Sequence, residues 1–406
     1  MLDVQTMSRR SRQTSIGTAR SLLTSVAGEN VGRVANLVVG PVLALLVYQV
    51  EKFFDHGLLD LSPVIEVIKK EPWRLVTPID VAFEVLRPHH FKNTRFDGVQ
   101  GDPGWFGPDS AMWYVHSHGT CLMLGILNTA VADIVHQGIQ AAVFEHSKLP
   151  GRDLDGNVVP GTFSTTGAPI RGGQTMAFFA GVALADSHTA ESLARTVNAI
   201  HSKVKGIGSD GTPYDANEPE FFRWGYATVV DGLAAAHRRY HPKPLKGAAL
   251  DQFYREYAVV GEALGGVNLP KTAAECREIL NNAPSAAGVG LNDGNVAYFA
   301  LTRNPMLRMW PFRYTYDLAY WLMVDMQSDV VKKAMGYKPG SRRSRWARRR
   351  LLYLLVRLAE GNGKGIEEVR KAYRRVGRTP VNPYSPRLSQ PMYRDISSTR
   401  ASCQPT

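Results

Sequence analysis

The sequence predicts a mostly helical fold, because several long segments combine helix-forming residues with apolar positions three and four apart. The segments cover residues 121–143, 191–205, 221–240 and 250–264. The first is too long and too rich in helix formers for a strand. Ser187 or Thr189 is a suitable N-cap for the second segment, Gly206 a suitable terminator, and Pro270 marks a turn after the last.

The regions before and between these helices are predicted from composition. Residues 1–30 are polar and rich in Ser, Thr and Arg, so we expect disorder. Residues 31–109 form a helical N-terminal extension whose apolar segment, 34–50, is barely long enough to cross about 30 Å of hydrocarbon. A buried or membrane-surface helix is therefore favoured over a span. Residues 149–169, rich in Gly, Pro and Asp, are predicted to form a loop.

One pair of histidines invites a metal-binding interpretation. If residues 115–118 form a strand, His116 and His118 face the same side. Two histidines without a third ligand do not define a metal site. The three cysteines, Cys121, Cys276 and Cys403, are too few and too scattered for a disulfide framework or a zinc site, which favours a reducing compartment. Since the N-terminus also lacks a secretory signal pattern, we expect a cytoplasmic protein, with membrane association left open.

His201 is the most informative single residue. Ala194, Val197, His201 and Val204 follow one another at spacings of three, four and three, which is one stripe of a helix, so His201 is predicted to point inward. A neutral imidazole there is either a core histidine bonded to a neighbour or an axial ligand of haem iron. Spacing alone favours the core histidine.

The positive charge is concentrated near the C-terminus. Residues 332–378 hold 16 Lys and Arg against three acidic residues, within a chain of formal net charge +12. We assign residues 331–378 to a basic helical extension and 379–406 to a disordered tail. Residues 342–358 are a basic amphipathic helix that packs by its apolar stripe, or contacts an anionic membrane or an acidic partner. Nucleic acid is not an expected partner, because neither stacking aromatics nor a known motif accompanies the cluster.

Short motifs in one fixed order carry a family resemblance over residues 110–300. They are Val135-His136, Glu145-His146-Ser147, Arg171 with Thr175, Ile200-His201 with Val204 and Gly206, Tyr214, Trp224, and Tyr254-Arg255-Glu256. This order resembles the catalytic domain of the rubber oxygenases (latex-clearing proteins) and MpaB. We therefore predict that residues 110–330 form such a catalytic domain.

The resemblance implies an all-α, globin-like helical bundle enclosing a b-type haem, with His201 as the proximal ligand of the iron. It places Arg171 and Thr175 near the haem, in both cofactor binding and catalysis. Four residues apart, the two side chains share one helical face, and a guanidinium suits a propionate or a bound oxygen species. The alternative for Arg171 is a solvated residue at a helix start.

Three further residues enter the predicted site. His136 is followed by Gln137 where the family usually has proline, and Tyr226 occupies a slot that is histidine in many relatives. Both are expected at the cofactor, although a tyrosine cannot shuttle protons in the range of a histidine. Glu145 is the candidate catalytic base toward an allylic proton, against the default of a solvated glutamate.

The implied function is that of a haem-dependent oxygenase with O2 as co-substrate. The expected substrate is lipophilic, with isoprenoids as candidates, and the reaction is oxidative cleavage of a C=C bond or a related oxidation. Two alternatives stay open, namely a haem-binding sensor or carrier without turnover and a membrane-associated scaffold. Peripheral membrane contact is expected, if at all, through residues 34–50 or 342–358. The sequence implies no particular oligomer.

Overall fold

The computed structural model describes residues 78–385, except 165, 209–210, 297, 299–320, 323 and 362. The predicted disordered N-terminus and the apolar segment 34–50 lie outside the described residues. The described part is mainly helical, as predicted, and adds two small antiparallel hairpins. Within these ranges, no helix has both the length and the apolar character that crossing a membrane requires.

The helices and strands are numbered in chain order. The α-helices are α1 (Pro78–Leu86), α2 (Ala111–His116), α3 (Gly119–Val135), α4 (Gln137–His146), α5 (Gly167–Leu184), α6 (Ser187–His201), α7 (Pro219–Tyr240), α8 (Ala248–Ala263), α9 (Ala273–Asn282), α10 (Asp293–Val296), α11 (Asp329–Ala334), α12 (Arg342–Glu360) and α13 (Glu367–Arg375). Short 3-10 helices cover Arg87–His89 and Pro284–Gly288. The strands are β1 (Pro150–Arg152), β2 (Val158–Phe163), β3 (Lys205–Ile207) and β4 (Pro213–Asp215).

Helices α3 and α7 cross closely at the centre of the core. A Cβ added to Gly125 would lie 2.8 Å from the Leu233 Cα, and one added to Gly232 would lie 3.0 Å from the Gly125 carbonyl oxygen. Only glycine lets the two backbones approach this closely. The crossing fixes α3 and α7 against each other, and both helices contribute to the site described below.

Helices α5 and α6 form a hairpin that runs back along itself, because only Ala185 and Asp186 connect them. The Asp186 carboxylate accepts a hydrogen bond from the Thr189 amide at 2.8 Å and caps α6. The sequence prediction put this helix at residues 191–205 with Ser187 or Thr189 as the cap. The true helix starts four residues earlier and ends at His201.

Two sequence predictions of local structure were wrong. The expected continuous helix over residues 121–143 is broken at His136, whose extended backbone and side chain cap α4 by accepting from the Ile139 amide at 3.2 Å. Residues 115–118 are not a strand, since His116 ends α2 and His118 caps α3 by accepting from the Cys121 amide. His116 and His118 therefore do not share a face.

The two hairpins lie beside α4. Strands β1 and β2 pair antiparallel within the region predicted as a loop, and most of their side chains are accessible. Strands β3 and β4 pair Gly206 with Tyr214, so Gly206 sits in a strand instead of ending a helix. This second hairpin begins four residues after His201 and sets the direction of the chain after the end of α6.

The basic C-terminal region packs into the molecule. Leu352 and Val356 hold α12 against the core, and Ile366 and Val369 join the main hydrophobic cluster. Arg375, at the end of α13, donates to three backbone carbonyls at 2.7 to 2.8 Å, so its buried charge is fully engaged. The positive segment is thus integrated into the fold, although the predicted domain boundaries themselves stay a prediction.

Candidate active site

His201 ends α6 with its ring turned partly inward. The residue is half-buried, but its Nδ1 atom is fully enclosed and forms no hydrogen bond. Burial lowers the pKa of His201 to about 4, and the charge of Arg171 adds to this effect. The imidazole is therefore neutral at neutral pH and keeps a lone pair for a Lewis acid. Its ring packs edge-on against Phe222 of α7, with centroids 6.3 Å apart.

Arg171 faces His201 because of the α5–α6 hairpin. Arg171 lies thirteen residues before the end of α5 and His201 fourteen residues after the start of α6, so the hairpin brings them side by side. Arg171 forms no ion pair within 4.0 Å with any described acidic residue. It nevertheless interacts electrostatically with His201 and with Asp133 of α3.

Asp133 completes this cluster, and sequence reasoning missed it. Burial raises the pKa of Asp133 to about 7, while the Arg171 charge acts in the opposite direction. A carboxyl group with a pKa near neutrality exchanges a proton readily at working pH. The signal was present in the sequence, because Asp133 is the one acidic residue in the apolar segment 121–143. We took that segment only as evidence for a helix.

Asp133, Arg171 and His201 lie on three different helices and influence one another electrostatically. Arg171 is exposed and Asp133 is half-buried. The surrounding protein still lowers the pKa of the arginine and raises that of the aspartate, because each charged group loses part of its hydration.

Thr175 and Tyr226 extend the site along two helices. Thr175 follows Arg171 by one turn of α5 and is half-buried, which agrees with the shared face predicted from the spacing. Tyr226 follows Phe222 by one turn of α7 and is buried, with its hydroxyl unpaired and its ring 6.1 Å from that of Tyr257. Burial raises the pKa of Tyr226 well above 10, so the hydroxyl stays a donor.

His136 has a structural environment of its own. Its ring lies 4.6 Å from the Trp224 ring and 5.5 Å from the Phe221 ring, between α4 and α7. Nδ1 caps α4, whereas the enclosed Nε2 has no hydrogen-bond partner. Burial lowers the pKa of His136 to about 4, which keeps the ring neutral. The structure gives His136 a clear packing role; its predicted role at a cofactor stays a prediction.

Glu145 lies at an exposed position at the end of α4. Its carboxylate accepts a 2.5 Å hydrogen bond from the Tyr214 hydroxyl. His146 Nε2 lies 3.0 Å from the Tyr214 hydroxyl oxygen. A Cβ on Gly206 would meet that hydroxyl at 2.6 Å, which explains why glycine stands opposite Tyr214. These contacts place Glu145 against the β3–β4 hairpin, apart from the Asp133–Arg171 cluster.

A side-chain cluster for a bare metal ion is not formed. In the ranges that the structure covers, no three His, Cys, Asp or Glu side chains gather in a way that could hold an ion. The cluster instead supplies one neutral imidazole, one guanidinium and one carboxyl group, and the imidazole packs against the Phe222 ring. Such a set suits a group that brings most of its own metal ligands, and not a bare metal cation.

The class of protein is given by comparison with known families. A family model described as "ER-bound oxygenase mpaB/B'/Rubber oxygenase, catalytic domain" matches residues 113–359. The chain belongs to this family, which confirms the resemblance. No curated protein and no solved structure matches the chain. Family membership supports an oxidoreductase that uses O2 on a small-molecule substrate.

Proposed function

We propose that the protein is a haem b-dependent oxygenase with His201 as the proximal ligand of the iron. The observation that carries the proposal is the neutral, half-buried His201 imidazole, whose enclosed Nδ1 lacks a partner. A porphyrin supplies four ligands to its iron, so a single histidine suffices to anchor it. The haem, when bound, would supply O2 activation; the chain supplies the environment.

Arg171 and Asp133 are the proposed polar groups of the pocket. The Arg171 guanidinium holds a fixed positive charge that acts on both Asp133 and His201, and it can orient an anionic group such as a propionate. Asp133, with a pKa of about 7, can accept or release a proton at its carboxylate. Asp133 is therefore better suited to proton transfer than the exposed Glu145, which is held by Tyr214.

The proposed substrate is lipophilic. Helices α3 and α5, which carry Asp133 and Arg171, are apolar over most of their length and bury most of their residues. Apolar helix surfaces bind apolar chains by excluding water and offer few polar groups to hold a sugar or a nucleotide. An isoprenoid with an oxidisable C=C bond fits this environment.

The test is an absorption spectrum of protein produced with sufficient iron. We expect a Soret band in the purified chain and its loss in His201→Ala. His188→Ala is the matched control, because His188 is exposed at the other end of α6. Equal haem content in the His201 and His188 variants would refute the assignment. A Soret band without oxygen uptake on isoprenoids would favour a sensor or carrier instead.

We further propose that α12 contacts an anionic membrane. Its outer side exposes Leu351, Leu354, Leu355 and Leu358 to 48, 58, 43 and 68 %. These positions form a row at helical spacing, and Arg343 and Arg350 border the row. Leucines that insert between lipids, with arginines at the phosphate level, form an interfacial helix.

Vesicle sedimentation tests this contact. Leu354→Gln with Leu358→Gln should reduce binding to phosphatidylglycerol vesicles about a hundredfold, since the two buried leucines together contribute about 3 kcal/mol. Leu154→Gln with Val159→Gln, on the exposed β1–β2 hairpin, is the matched control. Equal binding of the two double variants would rule out α12 as the membrane contact.

A further inference from the structure

A cavity away from the proposed active site has six cationic residues among the ten that line it. Its volume is about 660 Å³, and it lies where the C-terminal end of α7 meets α11 and α12. Arg239, on its wall, is about 25 Å along α7 from Phe222, the residue that contacts His201. The cationic lining residues are Arg239, Lys332, Lys333, Lys338, Arg345 and Arg349. The cavity is therefore distinct from the proposed active site.

The single carboxylate of this lining, Asp325, is already engaged. It forms a direct ion pair with Arg239, lies 3.5 Å from Arg349 and accepts from the Tyr337 hydroxyl at 2.8 Å. In the described ranges, Lys333 and Arg345 have no carboxylate within salt-bridge distance. Most of the positive charge around the cavity is thus not neutralised by any carboxylate of the described residues.

Helix α12 adds to the positive potential. Ser341 caps its N-terminus by accepting from the Ser344 amide, and the first turn contains arginines and no acidic residue. Cations at a helix N-terminus oppose the helix dipole, so this arrangement costs stability in the absence of an anion. Burial lowers the pKa of Lys332, because the ammonium group loses part of its hydration, while the charges of Asp325 and Asp329 act in the opposite direction. An unfavourable charge pattern of this kind is typical of a functional site.

We infer that this cavity binds a phosphate-bearing anion. Arginines recognise phosphate through paired N–H donors, while the lysines add point charges on a second side of the cavity. The volume admits a small phosphorylated molecule or the headgroup of an anionic phospholipid. Both sources present the same phosphate chemistry, and the experiment below separates them.

The first probe is sodium pyrophosphate, whose binding is measured by titration calorimetry at constant ionic strength. The second probe is phosphatidylcholine vesicles with or without phosphatidic acid. The site variant is Lys332→Gln with Arg345→Gln in the full chain. Its matched control is Lys246→Gln with Arg95→Gln, which removes the same charge from exposed positions outside both the lining and α12. Lys338→Glu, at an exposed lining position, provides a second site variant in case the first does not fold.

We expect the site variants to weaken binding at least about tenfold and the control less than about twofold, since each lost charge-assisted contact contributes about 1.5 kcal/mol or more. Pyrophosphate binding with this pattern supports a free phosphorylated ligand. Binding only to phosphatidate vesicles, with the same pattern, supports a lipid headgroup. Equal weakening of site and control variants, or binding of neither probe, would overturn the inference.

Discussion

At the scale of single residues, the site depends on charges held away from water. The Asp133 carboxyl group, the Arg171 guanidinium and the His201 imidazole come from three helices and influence one another's protonation. Arg171 disfavours protonation of both neighbours, so it keeps His201 neutral and moves Asp133 toward its ionised form. The same arginine thus affects both the His201 lone pair that would bind the iron and the proton transfer proposed for Asp133.

Asp133 predicts the pH dependence of turnover. If its carboxylate moves a proton, oxygen uptake with an isoprenoid should inflect near pH 7, the pKa of Asp133, and the inflection should vanish in Asp133→Asn. Asp155→Asn, on the exposed β1–β2 hairpin, should leave the profile unchanged. An Asp133→Asn enzyme with the wild-type profile would eliminate this role.

Arg171 is expected to matter for turnover more than for haem retention. Arg171→Ala should keep most of the Soret absorbance, because His201 remains, but lower oxygen uptake by about tenfold or more. The same variant should shift the Asp133 inflection to higher pH, because the arginine lowers the pKa of that carboxyl group. A shift to lower pH would contradict the proposed electrostatic link.

At the scale of elements, the β3–β4 hairpin connects the end of α6 to α4. Gly206→Ala would place a Cβ 2.6 Å from the Tyr214 hydroxyl and disturb the bonds of that hydroxyl to Glu145 and His146. We expect a loss of about 1–3 kcal/mol in the free energy of unfolding, measured with urea. Gly290→Ala is the control, since an added Cβ there meets nothing within 4 Å. Equal stability of the two variants would show that the hairpin adapts freely.

The sequence predicted regular elements well and their interruptions poorly. Helix α7 was expected over residues 221–240 and covers Pro219–Tyr240, because its apolar spacing and length leave no other choice. The break at His136 was missed because it depends on a side chain that caps α4 and packs on Trp224, which are tertiary features. The neutral His201 ring could be predicted, but the electrostatic interaction of Arg171 with Asp133 depends on the fold.

At the scale of the whole molecule, buried histidines make stability depend on pH. His116 is fully buried, its Nδ1 lies 2.8 Å from the Met112 carbonyl oxygen, and burial lowers its pKa to about 4. The unfolded chain therefore binds a proton below about pH 6.5 that the folded chain refuses until about pH 4. Stability from this group is lost as the pH falls through that window.

His116→Gln should reduce this acid sensitivity. The loss of unfolding free energy between pH 6.5 and pH 4 should be smaller by about 3 kcal/mol than in the unmodified chain. Urea titrations at several pH values measure it. Glu256, whose pKa burial raises to about 7, acts in the opposite sense in both proteins and cancels in the comparison. An unchanged difference would mean that His116 titrates normally.

The two-residue link between α5 and α6 has a mechanical consequence. Arg171 and His201 both lie about 20 Å from that link, so a small change in the angle between α5 and α6 displaces these two residues strongly. A tilt of only about 5° between the two helices would move Arg171 and His201 apart by about 2 Å, enough to misplace a reacting group. Near the pivot, a Cβ on Gly181 would come within 2.2 Å of the Leu193 Cδ1. An added methyl group there would force the Leu193 side chain to shift, close to the link and far from Arg171 and His201.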